Sequence, residues 1–315
     1  LLVKGIKMRI LITGSNGMVG RSLVKKLAQL DNMQLITPNR RDLDLFDSAA
    51  INHYFISHQP EMVIHLAARV GGIQANMLNP IEFLTENILM NTLVIAGALA
   101  QKIPRLLFIG SSCMYPKDRE MLHETDMLTG LLEPTNEGYA LAKISGASLC
   151  KYINQQHALS YKTIVPCNLY GPYDNFNPAR SHLIPAIIRK LHDAKQTNKK
   201  EVSIWGNGEA RREFMFIDDL TEFILLAIKR IDDMPQQVNV GLGYDYSINE
   251  YYRIAAKLIG FQGNFVHDLD KPAGMHRKLL NVDLAKTLSW QAKFTLEAGL
   301  QKTYEYFLSL PEHVN

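Results

Sequence analysis

The chain has 315 residues, 47% hydrophobic and 21% charged, enough for a full globular core in about two domains. Its 34 basic and 31 acidic residues are spread along the sequence and leave a formal net charge of +3, so nothing points to a nucleic-acid or membrane partner. Cys113, Cys150 and Cys167 are an odd number without metal-ligand spacing. This argues against a disulfide framework and a metal site and places the protein in a reducing, cytoplasmic setting.

Leu1 to Lys7 is too short for a signal peptide, and no run approaches the roughly 18 apolar residues of a membrane span. Arg9 to Thr13 is an apolar run stopped by glycine and followed by a helical pattern through Val19, Leu23, Val24 and Leu27, which predicts strand, turn and helix. The turn is Gly14-Ser15-Asn16-Gly17-Met18-Val19-Gly20. Gly14 permits the bend, Gly17 lets backbone approach a pyrophosphate, Gly20 lets helix pack on strand, and the helix start supplies amide donors.

Gln34 to Thr37 is the next strand candidate, and after it comes Asn39-Arg40-Arg41-Asp42-Leu43. A site for NAD generally places an acid here to hold the adenosine ribose, whereas the 2′-phosphate of NADP needs a cation. Two arginines with no acid before Asp42 therefore favour NADP(H). Met62 to Leu66, Leu106 to Ile109 and Thr163 to Cys167 continue the strands, separated by helix-length amphipathic segments. Such alternation predicts an α/β fold with a Rossmann-type, doubly wound parallel sheet. The NADP-binding domain is expected over residues 8–174, with some later segments returning to it. From about Asn175 glycines and prolines punctuate shorter elements, so 175–315 is expected to form mainly a smaller α/β substrate lobe.

The chemistry gathers after the fourth strand, at Ile109-Gly110-Ser111-Ser112-Cys113, and 28 residues beyond Ser111, where Tyr139 and Lys143 stand at helical spacing. A lysine cation on that face would lower the phenol's pKa and make Tyr139 a general acid, while Ser111 holds a carbonyl oxygen. Cys113 beside them offers a thiol for a second proton transfer.

Val70-Gly71-Gly72-Ile73, Gly110 to Pro116, Leu132 to Glu137, Asn168 to Pro172, Asp174-Asn175-Phe176, Trp205 to Gly208 and Arg212-Glu213-Phe214 together resemble the extended short-chain dehydrogenase/reductases, and within them the GDP-4-keto-6-deoxymannose epimerase-reductases. The resemblance covers nearly all of Met8 to Leu310. It implies a reductive triad of Ser111, Tyr139 and Lys143, with Pro166, Cys167, Asn168 and Leu169 at the nicotinamide end. Cys113 and His182 would be the acid-base pair at C3 and C5 of the sugar, His182 also lying against the cofactor. Lys190 and Arg212 would meet the diphosphate and Trp205 a ring face. A homodimer through the helices around Ile81 to Leu99 and Ala140 to Tyr152 is implied as well. Two departures stand out: Ala273 and Asn281 where the family carries aspartates.

The resemblance implies epimerisation of GDP-4-keto-6-deoxy-D-mannose at C3 and C5 and NADPH-dependent reduction at C4. Ala273 keeps open a C4 reductase of a related GDP-4-keto sugar, such as a 6-deoxy-heptose or a colitose precursor. Arg40 and Arg41 count against an NAD-retaining 4-epimerase, and the intact triad against a non-catalytic dinucleotide sensor.

Overall fold

Four consecutive buried residues, Ile10 to Thr13, make the first strand a central one, covered on both faces. The computed structural model describes residues 7–178, 181–270 and 275–311. The opening Leu1 to Ile6 and Lys271-Pro272-Ala273-Gly274, with the departure at Ala273, lie outside the described residues.

In chain order the first half reads β1 (Met8–Thr13), α1 (Met18–Leu27), β2 (Met33–Ile36), α2 (Ser48–His58), β3 (Met62–His65), α3 (Ile73–Leu78), α4 (Pro80–Ala100), β4 (Arg105–Ile109), α5 (Glu137–His157) and β5 (Ser160–Pro166). Asp47 caps α2 by accepting from the amides of Ala49 and Ala50, and Pro80 opens α4 where a missing N–H costs nothing. After β6 (Asn168–Tyr170) come α6 (Leu183–Gln196), β7 (Glu201–Trp205), β8 (Arg211–Arg212), β9 (Phe214–Phe216) and α7 (Ile217–Arg230). The chain closes with β10 (Gln237–Val240), β11 (Tyr246–Ser247), α8 (Ile248–Ile259), β12 (Asn264–Asp268), β13 (Arg277–Lys278), α9 (Asp283–Thr287) and α10 (Leu296–Ser309).

Six strands form one parallel sheet in the order β10-β5-β4-β3-β1-β2. The chain leaves β1 toward β2 and then crosses to β3 on the other side, so the winding reverses between β1 and β3. At such a switch point the carboxyl ends of the strands open a crevice for a dinucleotide. β10 returns from the second half to pair with β5, and α7 packs on α1. The rest of the second half is built of small sheets, β11-β8-β13, β12-β7 and β6-β9, beside the carboxyl ends.

α4 corrects one sequence expectation. It is long and apolar enough to cross a membrane, with a mean hydropathy of 1.5. Its buried asparagines show a different use. Asn87 bonds the backbone of Arg69 and Phe83, and Asn91 accepts from His65 at 3.1 Å and donates to the Ala142 carbonyl at 3.0 Å. The helix packs against α2 and α5 as part of the core.

Candidate active site

Gly14 takes φ +69°, and a Cβ there would stand 2.7 Å from the Ala67 amide nitrogen, so only glycine lets the turn cross under the loop after β3. At Gly20 a Cβ would lie 2.3 Å from the Gly14 carbonyl oxygen. The start of α1 is thereby drawn onto the turn, and its free amides face the switch-point crevice. After β2, the Asn39 side chain accepts from the amides of Arg41 and Asp42, and Asp42 accepts from the Asn39 amide. This closed turn presents Arg40 and Arg41 to solvent, neither with an ion-pair partner among the described residues. A glycine cradle at a helix start and two free guanidiniums fit a dinucleotide carrying a 2′-phosphate.

The reductive residues meet at the end of β4. Ser111 caps a 3₁₀ turn over Ser112–Met114, its hydroxyl accepting from the Cys113 amide at 3.4 Å. Lys143, 2% exposed, reaches back from α5 to donate to the Ile109 carbonyl at 2.7 Å. Its ammonium lies 5.7 Å from the Tyr139 ring centroid and 4.9 Å from that of Phe108. Gly146 allows this approach, since a Cβ there would sit 2.5 Å from the Phe108 ring. Ser111, Tyr139 and Lys143 are therefore grouped around the last residues of β4.

Their protonation differs from the expectation. Burial, followed by the Cys113 sulfur, pushes the Tyr139 phenol above its usual value, and the Lys143 cation does not offset this. Burial also lowers Lys143 to about 8. The phenol thus stays protonated at neutrality, as a donor must, and the ammonium remains mostly charged beside it. His65 lies behind this group with no exposed surface. Its Nδ1 meets the Thr13 hydroxyl at 2.7 Å and its Nε2 the Asn91 carbonyl oxygen. Burial, then the Lys143 charge, lowers its pKa to about 3, so it holds a neutral bridge from Thr13 on β1 to Asn91 on α4.

Cys113 shares the 3₁₀ turn with the serines and is buried, which raises its thiol; Lys278, the Ser111 hydroxyl and Lys143 act in the opposite direction. His182 is the N-cap residue of α6 and is open to solvent, while the protein around it lowers its pKa by desolvation. Thiol and neutral imidazole hold one transferable proton and one vacant lone pair between them. Gly72 approaches this loop, since a Cβ there would be 3.4 Å from the Ser181 carbonyl oxygen.

In the second half, Arg212 on β8 is lowered by burial and drawn the other way by Glu133. Trp205 ends β7 half exposed, at 52%. Lys190, expected on the diphosphate, lies on α6. Its ammonium donates to the Ser203 carbonyl at 2.7 Å and stands 5.9 Å from the Tyr252 ring centroid. Asn281 spans from Asp283 to Met121. Pro166 ends β5, Cys167 is buried and donates to the Asn168 carbonyl, and Asn168 and Leu169 start β6 beside the sheet's carboxyl ends.

Two residues escaped the sequence reading. Lys278 on β13 sits in register with Arg212 and is electrostatically coupled to Cys113, Arg212 and Glu133; its only sequence signal was the run Arg277-Lys278-Leu279-Leu280. Asp174 is raised to about 7 by burial, and its Oδ2 has no partner among the described residues. Asn76 Oδ1, Asn136 Oδ1 and Ser181 Oγ are also buried without partners, in the segments beside Gly72, Tyr139 and His182.

Residues 10–241 match the model of the NAD dependent epimerase/dehydratase family. The GDP-L-colitose synthase of Yersinia pseudotuberculosis is 50% identical over 304 residues, covering 96% of this chain and 98% of that protein. The GDP-L-fucose synthase of Azorhizobium caulinodans is 44% identical over 302 residues, with 96% of each chain covered. Among solved structures, the GDP-mannoheptose C4 reductase of Campylobacter jejuni with NADP bound superposes with a TM-score of 0.88 at 31% identity, covering 96% of this chain and 99% of that one. The glycine cradle at the switch point and the Tyr139–Lys143 pair belong to a dinucleotide-dependent enzyme of the Rossmann class. The chain is a member of the NAD dependent epimerase/dehydratase family.

Proposed function

We propose that this chain is an NADPH-dependent epimerase-reductase of a GDP-linked 4-keto-6-deoxy sugar, converting GDP-4-keto-6-deoxy-D-mannose to GDP-L-fucose. The observation that carries it is the placement of Cys113 on the same 3₁₀ turn as Ser111, against Tyr139 and Lys143. A simple reductase has no use for a thiol there.

The Gly14 to Gly20 turn and the start of α1 would hold the pyrophosphate of NADP, Arg40 and Arg41 its 2′-phosphate, and Pro166 to Leu169 its nicotinamide end. Bound there, the cofactor supplies hydride to C4. The 4-keto group acidifies the C–H bonds at C3 and C5, so Cys113 and His182 can exchange a proton on opposite faces of the carbon. Ser111 holds the carbonyl oxygen through the enolate. Tyr139 then donates its proton to the oxygen at C4, with Lys143 stabilising the charge left on the phenol. Arg212 and Lys278 offer cations to the diphosphate.

A second reading has a specific source: the GDP-L-colitose synthase at 50% identity. A 3,6-dideoxy sugar has no stereocentre at C3, so only C5 is inverted. NADPH oxidation with GDP-4-keto-6-deoxymannose in deuterated water separates the cases. Deuterium at both C3 and C5 of the product supports the fucose route. No turnover on this sugar but turnover on its 3-deoxy analogue, with inversion at C5, assigns the colitose route. Reduction at C4 without deuterium entry refutes the epimerase half of either.

The proposal extends to assembly and location. Residues 8–174 chiefly hold the cofactor and 175–315 the sugar nucleotide. Ile81 at 71%, Leu89 at 44%, Leu141 at 41% and Tyr152 at 59% exposure on α4 and α5 are apolar area suited to a second copy. Light scattering at twice the chain mass is the expected result. Three buried free cysteines suit a reducing cytoplasm.

A further inference from the structure

Glu213 is 1% exposed, yet it lies between Arg212 and Phe214, one residue from a candidate diphosphate contact. Its carboxylate collects backbone from two distant segments. Oε1 accepts from the Leu242 amide at 2.5 Å and the Gly243 amide at 2.8 Å, and Oε2 from the Leu280 amide at 3.0 Å. Gly241 makes room for it, because a Cβ there would lie 2.4 Å from Oε1. Leu280 follows β13 two residues after Lys278, and Lys278 is the register partner of Arg212. The bonds from Glu213 thus fasten β13 beside β8, the two strands that carry the cations.

We propose that Glu213 is a positioning residue that holds Arg212 and Lys278 at the spacing a sugar-linked diphosphate requires, and that its ionised carboxylate is the form that does so. This rests on the GDP-sugar reading above. The physical reason is directional. An ionised carboxylate offers acceptors on both oxygens, whereas a protonated one turns an O–H toward one of the amides and loses that bond.

Burial and the nearby Asp245 raise Glu213 to about 7, against the pull of its three amide bonds. The other titratable groups coupled to it are Asp245, Cys167, Tyr244 and Tyr251. Asp245 is held ionised by Arg277 and Arg211, and the Cys167, Tyr244 and Tyr251 groups are all shifted upward and stay neutral. Arg212 itself stays cationic near neutrality, as a guanidinium does. Burial lowers Lys278 as well, so acidification can only favour its charged form, and Glu213 is the group in this cluster whose protonation on acidification loosens the clamp. Acidification should weaken diphosphate binding without touching the catalytic turn.

The test uses the holoenzyme with NADP and GDP-mannose as probe, whose diphosphate diester does not titrate in this range. For the wild type, Kd for GDP-mannose should rise roughly tenfold from pH 8 to pH 6, about one charge-assisted hydrogen bond. Glu213→Gln places an amide donor against the Leu280 amide. Its Kd should be raised roughly tenfold at pH 8 and change little on acidification, with kcat within a few-fold of wild type and NADP binding intact. Hydrogen exchange at Leu242, Gly243 and Leu280 in the unmodified protein provides a second readout, free of any folding defect. Their protection, corrected for intrinsic rate, should fall from pH 8 to pH 6. Unchanged protection overturns the clamp, as does a parallel pH dependence of Kd in wild type and Glu213→Gln. GDP-mannose that fails to bind wild type at either pH, with the amides responding as expected, overturns the GDP-sugar reading and the diphosphate role with it.

Discussion

At the residue scale the proposed reaction assigns its two proton transfers to different groups. Tyr139 is a phenol kept protonated by burial, while the Cys113 thiol and His182 imidazole face the neighbouring carbons in the proposed reaction. Removing each should therefore stop a different step. Tyr139→Phe is expected to cut C4 reduction by roughly 10²- to 10⁴-fold, the usual worth of a general acid, while solvent deuterium still enters the substrate at C5. Cys113→Ala should abolish that deuterium entry and retain NADPH binding. Mass spectrometry of recovered substrate checks both; loss of exchange in Tyr139→Phe would mean that the phenol also serves the epimerisation. The arginines give a simpler case. Arg40→Ala with Arg41→Ala should raise KM for NADPH at least tenfold, the scale of lost charge-assisted bonds, and leave KM for NADH nearly unchanged. An equal rise for both cofactors sinks the 2′-phosphate assignment.

At the element scale, the reason for this geometry is close packing between α5 and β4. Lys143 reaches the Ile109 carbonyl because Gly146, one turn along α5, has no side chain to hold the helix away from Phe108. Gly146→Ala forces its Cβ into that ring and should destabilise the protein by about 1–3 kcal/mol through overpacking. It should also lower kcat by displacing Lys143. Urea midpoints and kcat measured together test this, and a stable variant of full activity would show that the contact does not position the lysine. Glycine turn, Tyr139–Lys143 spacing and strand alternation were legible in the sequence because each is local, within a few turns of chain. Lys278, Asp174 and Glu213 were not. Their roles arise from β13 beside β8, from burial of the Asp174 loop and from amides contributed at Leu242 and Leu280, none of which a periodicity encodes. The same holds for α4, whose composition fits a membrane helix until Asn87 and Asn91 find their partners.

At the scale of the whole molecule, three buried titratable groups set opposing limits on stability with pH. His65 is lowered from 6.5 to about 3, so below pH 6.5 the unfolded chain binds a proton that the folded one refuses. Stability from this group is lost as pH falls through that interval. Asp174 and Glu213 are raised to about 7, so the folded chain binds protons that the unfolded one has released. Their contribution is largest in acid and is lost as pH rises from about 4 to about 7. Asp174→Asn isolates the second effect, because an amide has no charge to desolvate. The variant should match wild type near pH 4 and exceed it at pH 8 by roughly 4 kcal/mol. Urea unfolding of both proteins at the two pH values measures the difference directly. A gain of equal size at both would mean that the carboxyl is not ionising in a buried setting. A loss at pH 8 would mean that the ionised Asp174 holds a bond worth more than its desolvation, and its unpartnered Oδ2 argues against that. A carboxyl kept at such a cost, in the Asp174-Asn175-Phe176 segment, is the kind of local instability that functional sites retain.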